Sequence, residues 1–178
     1  MTITEDRSAA ALEHVRYEIE AVLQTPPHDA SNETIVETIY FRKMAHARAL
    51  FYFFTTPIAH RHGDDILAED YGFPAKPIYT DQNKQRFLDR YNKDLLHISY
   101  TRLDRLGAEK QWPIPEMLPP VIERCRLFIP HVISLTWPSI RIDERTKWQF
   151  LIPDYLSRIP LQQHTSNVAA PQISKLTF

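Results

Sequence analysis

Glycine is the scarcest resource of this chain: Gly63, Gly72 and Gly107 are the three glycines among 178 residues, against 14 prolines. Tight hairpins draw on glycine for backbone with positive φ, so this balance disfavours a string of β-turns and predicts helices joined by proline-bearing connections. Three isolated glycines also cannot assemble a phosphate-cradling loop or a dinucleotide fingerprint. The single Cys125 excludes an intramolecular disulfide and a cysteine-based zinc knuckle, and fits a reducing compartment.

Charge narrows the partners. Lys and Arg number 21 against 22 Asp and Glu, a formal net charge of -1 with the eight His neutral, so global charge does not make this a nucleic-acid coat. Met1 to Glu20 carries acidic residues and no apolar block of the signal-peptide kind. No run approaches the roughly 20 apolar residues that span a bilayer. The expectation is a cytoplasmic protein with no membrane partner.

Periodicity sets out the helices. Ala11, Leu12, Val15, Ile19, Val22 and Leu23 recur at three- and four-residue spacing, predicting a first helix over 5–24 that Pro26 and Pro27 end. Ser31 or Asn32 caps a second, which runs to Thr55 or Thr56 and finishes in Leu50-Phe51-Tyr52-Phe53-Phe54, apolar nearly all round. Such an end is buried on several sides or meets a second protein. A short turn of helix is expected about Asp65 to Tyr71. A third helix is expected from Gln82 to Leu106 between Asp81 and Gly107, and a fourth from Pro120 to Leu135, kinked at Pro130. Beyond Trp137-Pro138, Ile140 to Asp143 alternates like a short strand, and Pro153, Pro160 and Pro171 interrupt the rest. The fold class is therefore all-α: a bundle of four main helices over 1–137, with a Pro-rich, largely irregular C-terminal arm over 138–178.

The densest chemistry lies in the expected third helix, in Arg90-Tyr91-Asn92-Lys93-Asp94-Leu95-Leu96-His97. Seven residues at about 100° each bring Arg90 and His97 within about 20° of one direction, about 10.5 Å apart along the axis. A permanent cation with a titratable imidazole is the minimum set for metal-free RNA cleavage. Arg neutralises the phosphate, and His moves protons to and from the 2′-hydroxyl or the leaving oxygen. One pair at that separation serves a phosphate poorly and two across a dimer axis serve it better, which predicts a homodimer. An Arg followed by a His after four to six residues occurs five times in the chain, so context singles this pair out. It has a helix interior, Asn92 nearby, and Tyr100, Thr101 and Asp104 within two turns of His97.

This arrangement resembles the HEPN superfamily, helical-bundle proteins often found as ribonucleases in prokaryotic defence and toxin systems. Their mark is an Arg and a His four to six residues apart on one helix, with a polar residue directly after the Arg. Here six residues intervene, Tyr91 follows Arg90, and the polar Asn92 comes one step later, about 200° from Arg90 on an α-helix. The resemblance covers roughly 31 to 136. It implies an RNA-directed protein or metal-independent endoribonuclease, without cofactor, acting as a dimer: His97 the acid/base, Arg90 the phosphate ligand, Asn92 a helper. More locally, His46-Ala47-Arg48-Ala49-Leu50, Asp64 to Tyr71 and Asn92 to His97 look like a group of small bacterial proteins to which no activity is attached.

Blander readings stand beside each of these. Asp94 lies four residues after Arg90 and three before His97, so the three can form a ladder of ion pairs; alternatively Asp94 orients the His97 ring as a triad acid does. Arg42 and His46, one turn apart in the positive stretch Arg42, Lys43, His46 and Arg48, either add RNA contacts beside the third helix or belong to a solvated face. His60 and His62 with Asp64, Asp65, Glu69 and Asp70 mix metal-ligand types in one loop but lack a Glu-x-x-His pair, so no metal site is expected. Cys125, Trp112, Trp137 and Trp148 read as packing residues. The competing function is a non-catalytic interaction protein that docks partners through the Phe-rich end of the second helix or the C-terminal arm.

Overall fold

The computed structural model describes residues 4–24, 33–95 and 112–158. Helix α1 (Glu5–Leu23) opens at Thr4, whose hydroxyl accepts the Arg7 amide, with Glu5 and Asp6 at the positive end of the helix dipole. It packs antiparallel on α2 (Glu33–Thr55), as Gln24 meets Arg42 at 2.9 Å and Glu18 meets His46 at 2.7 Å. Two 3-10 turns follow, Ile58–His60 and Ala68–Tyr71, the second stopped by Gly72 at φ +72°, a conformation glycine adopts without strain. Then come α3 (Asp81–Asp89), a π-helical turn over Arg90–Leu95, α4 (Ile114–Ser134) and α5 (Ile142–Arg158). No strand occurs among the described residues, and the fold is all-α.

Three expectations change. The arm is helical from Ile142: Asp143 and Glu144 suit an N-terminal turn, and Trp148 is fully buried against Phe128, so α5 packs on α1 and α4 where a strand and irregular chain were expected. This makes five α-helices among the described residues where four were expected. Helix α4 begins at Ile114 rather than Pro120, because Pro115 fits its first turn, and Pro119 and Pro120 remove donors only from the carbonyls of the exposed Pro115 and Glu116. The third helix leaves α geometry at Arg90; its expected continuation to Leu106, with His97, Tyr100, Thr101 and Asp104, lies outside the described residues.

Phe128 on α4 is the centre of the core. Phe53, Phe54, Tyr71, Phe73 and Trp148 surround it, all edge-to-face, with ring centroids 5.2 to 5.9 Å away. The Phe-rich end of α2 is thus committed to the interior: Phe51, Phe53 and Phe54 are buried, and no apolar docking face is left there beyond the outward Tyr52. Cys125 is fully buried, and burial pushes its thiol well above the ordinary range. On α5, Glu144 is clasped by Arg16 of α1 (2.8 Å) and Lys147 (3.6 Å), which fixes the helix from its polar side. Desolvation opposes charge on Arg16, but its bonds to Glu144 and Glu20 outweigh it and raise its pKa. Truncating Phe128 to Ala removes the shared partner of six rings, His131 included, and is expected to cost about 3–5 kcal/mol, read from urea denaturation.

Lys43 sits on the buried side of α2, 7% exposed, and desolvation lowers its pKa to about 8. A base whose folded pKa lies below its unfolded value penalises the folded state fully below the folded pKa. The penalty fades as pH rises towards the unfolded one. Lys43→Met is therefore expected to stabilise the protein at pH 7 by on the order of 2 kcal/mol. The gain should shrink between pH 8 and pH 10.5, and equal melting-temperature shifts at both ends of that range would refute it.

Candidate functional site

The π turn decides where the sequence-predicted residues point. Its i→i+5 bonds widen each turn, so rotation per residue over Arg90–Leu95 falls below the 100° of the α-helix on which the expected alignment of Arg90 with His97 rests; His97 itself lies outside the described residues. Arg90 is 4% exposed. Its Nη1 donates to Asp94 Oδ2 at 2.7 Å, and its guanidinium lies 4.8 Å from the centre of the Trp112 ring. The Arg90–Asp94 ladder is thus present, but in the interior, and Arg90 is not an open cation for a phosphate. The physical reason is pairing: a buried guanidinium is tolerated when a carboxylate and an aromatic face replace its water.

Asn92 points the other way, as expected. Its Oδ1 accepts a hydrogen bond from Arg48 Nε at 3.0 Å, and its Nδ2 donates to the Tyr52 hydroxyl at 3.3 Å. The Arg48 guanidinium lies 5.4 Å from the Tyr52 ring centre, closing a triangle between α2 and the π turn. Among the described residues, the two terminal nitrogens of Arg48 make no hydrogen bond. A guanidinium fixed at Nε and stacked on a tyrosine presents that fork to an oxyanion at little entropic cost.

Arg42 and His46 stand elsewhere. Arg42 donates to Gln24 and lies 5.7 Å from the Tyr17 ring centre; His46 Nδ1 is 2.7 Å from Glu18 and meets Tyr17 edge-on. Both belong to the α1–α2 seam rather than to the surface beside the third helix, because residues four apart on α2 share the stripe that α1 covers. Arg48, six residues beyond Arg42, comes round to the π turn instead.

Beyond Tyr52 the surface opens into a cleft of about 480 Å³ between the end of α2, the 75–79 loop and α3. Phe51 and Tyr79, stacked with centroids 5.4 Å apart, lie buried behind its wall, and His60, Lys76 and Lys84 are among the residues that line it. In the interior, the Tyr79 hydroxyl bonds both the Tyr91 hydroxyl and the Met117 carbonyl at 2.9 Å. Burial pushes both phenols up, Tyr91 to about 12 against the opposing effect of its bond to Tyr79, so neither is an acid or base near neutrality. The walls are pinned by Glu69, whose carboxylate accepts the Ile58 amide at 2.8 Å and the Ala75 amide at 3.3 Å.

Sequence reasoning missed Lys76 and Lys84 and saw Arg48 only within a charge run; the signal for Arg48 was its spacing of four from Tyr52. No group of three or more His, Cys, Asp or Glu suited to a metal ion occurs among the described residues, the His60 and His62 loop included. No helix described is long and apolar enough to cross a membrane. No family model matches the chain, and no curated protein or solved structure matches it.

Removing one partner of the buried pair separates structure from chemistry. Arg90→Met leaves Asp94 as a buried, uncompensated carboxylate and is expected to destabilise the fold by about 3–5 kcal/mol, whereas Arg90→Met with Asp94→Leu recovers most of the loss. Urea denaturation of the three variants reads this directly. Additive losses would show that the two side chains are not coupled.

Proposed function

We propose that this is an RNA-directed helical protein of HEPN-like type that meets the nucleic acid where α2 abuts the π turn. The observation that carries the reading is the Arg48–Asn92–Tyr52 triangle. Asn92 is the polar helper of the HEPN-like pattern, and here it orients an arginine whose two terminal nitrogens make no hydrogen bond among the described residues. Lys76 and Lys84 extend positive charge from there along the cleft rim. The phosphate ligand in this reading is Arg48, since Arg90 is committed to Asp94. Cleavage, metal-independent and carried by His97 as acid/base in a homodimer, is the finer form of the proposal.

Binding and cleavage are tested apart. Arg48→Gln is expected to weaken binding of a single-stranded RNA about tenfold and to lower the slope of log K against log salt by about one, the loss of one phosphate contact. An unchanged slope sinks the Arg48 assignment. Incubation with total RNA in EDTA, wild type beside His97→Ala, tests cleavage. Products ending in 2′,3′-cyclic phosphate from the wild type alone support it, and intact RNA in both reduces the proposal to binding.

A second reading has its own observation. Ile142 and Phe150 on α5 are 79% and 66% exposed, large apolar groups turned to solvent. They fit an interaction protein that docks through the outer side of α5. That reading takes over if no RNA is bound at low salt.

A further inference from the structure

Helix α5 turns an uncharged face away from the core. Glu144 and Trp148 are buried and Leu151 is half-buried, which sets the inward direction of the helix. At about 100° per residue the opposite direction falls on Thr146, with Ile142 and Phe150 about 40° to either side of it. Gln149 shares this face, while Asp143, Arg145 and Lys147 stand on its flanks. Ile142 and Phe150 are the two most exposed large apolar side chains among the described residues. Between them the Thr146 hydroxyl donates to the Ile142 carbonyl at 2.9 Å, so the polar atom of the middle residue is bonded within its own helix.

The face is complementary to itself. Ile142 precedes Thr146 by four residues and Phe150 follows it by four. A twofold axis beside Thr146 therefore brings Ile142 of one copy level with Phe150 of the other, and Thr146 level with Thr146. The flanks obey the same symmetry. In an antiparallel pair each flank faces the same flank of the other copy in reverse order. Asp143 of one copy then comes within two positions of Lys147 of the other, about 3 Å of helix rise. The Lys147 ammonium lies 3.7 Å from its own Asp143 and 3.6 Å from Glu144, beyond hydrogen-bond range, so it can turn to a carboxylate across the axis. An unrelated partner would require neither the equal spacing nor the matched flank.

We propose that α5 is a self-association face, on which a second copy of this chain docks antiparallel about Thr146. The inference rests on the docking reading of α5 and names its partner. Ile142 to Phe150 spans about 12 Å, a face smaller than the roughly 800 Å² per partner of a standard interface. The pair is therefore weak and reversible, with a dissociation constant on the order of 10–100 µM.

Sedimentation of the full chain from about 5 µM to about 1 mM tests this, since mass action shifts a weak dimer across that range. Phe150→Glu is expected to weaken the pair at least tenfold without lowering the melting temperature of the dilute protein, because the side chain is exposed. A chain that stays monomeric throughout overturns the proposal, as does a dimer indifferent to Phe150→Glu. Thr146→Cys locates the axis. Cys125 is fully buried, so the introduced thiol is the one that reacts. Two such thiols on the axis meet within disulfide reach, and mild oxidation should link the copies, whereas Gln82→Cys, exposed on α3, should not link them. Equal linking at both positions overturns the proposal. Failure of the docking reading is distinct. If the thiol of Thr146→Cys takes a maleimide while the chain stays monomeric, the second copy is wrong and the docking reading stands. If that thiol resists the maleimide in the monomer, the chain itself covers the face and both fall.

Discussion

Everything placed in this fold is placed relative to Phe128. Its ring is the one surface that the end of α2, the second 3-10 turn, the 73–79 loop and α5 all touch. Edge-to-face contacts are directional, so each neighbouring ring is constrained in angle as well as distance. Phe53 and Phe54 turn inward onto Phe128, and helical rotation then turns Tyr52 outward. Phe51, inward on the other flank, stacks on Tyr79 behind the cleft. The aromatic run at the end of α2 therefore packs the core with Phe51, Phe53 and Phe54 and leaves Tyr52 turned outward.

The second constraint is what takes glycine's place in the connections. Where positive φ is rarely available, backbone groups in the loops are bonded by long side chains. Arg124 reaches the Pro74 carbonyl while lying 4.3 Å from the Phe73 ring centre, and Arg145 reaches the carbonyls of Leu135 and Trp137 at the start of the α4–α5 connection. Arg61 holds Asp70, which in turn accepts the Leu67 amide at 2.8 Å. With Arg16 and Arg90 inside ion pairs as well, a large share of the arginines are structural. That is why a count of basic residues says little about the surface of this chain: Arg48 stacks on Tyr52, and Lys76 and Lys84 line the cleft that Tyr52 also borders.

What was legible in the sequence was what α periodicity encodes. The limits of α1 and the end of α2 fall within a residue or so of expectation, because proline and apolar spacing act locally. Helix α5 was hidden since Pro153 and the alternation of Ile140 to Asp143 are local signals, while its stability comes from Trp148 under Phe128 and from Glu144 against Arg16, contacts distant in sequence. The site was half legible. Asn92 stood out by its residue type, but its partner Arg48 is 44 positions away, and the two cleft lysines owe their meaning to walls that only the tertiary fold brings together.

The π turn links these observations. Had α3 stayed α-helical through Leu95, Arg90 and Asp94 would still have been one turn apart, so their ion pair alone does not call for the wider turn. A widened turn is costly because its hydrogen bonds are poorer in geometry, and it persists where surrounding packing over-determines it. Here two sets of contacts pull on consecutive residues. Arg90 and Tyr91 are drawn inward by Trp112 and by the Tyr79 hydroxyl, and Asn92 is held outward by Arg48 and Tyr52 of α2. The turn reconciles them. The same local distortion that takes Arg90 out of reach of a phosphate carries Asn92 to the arginine that can meet one.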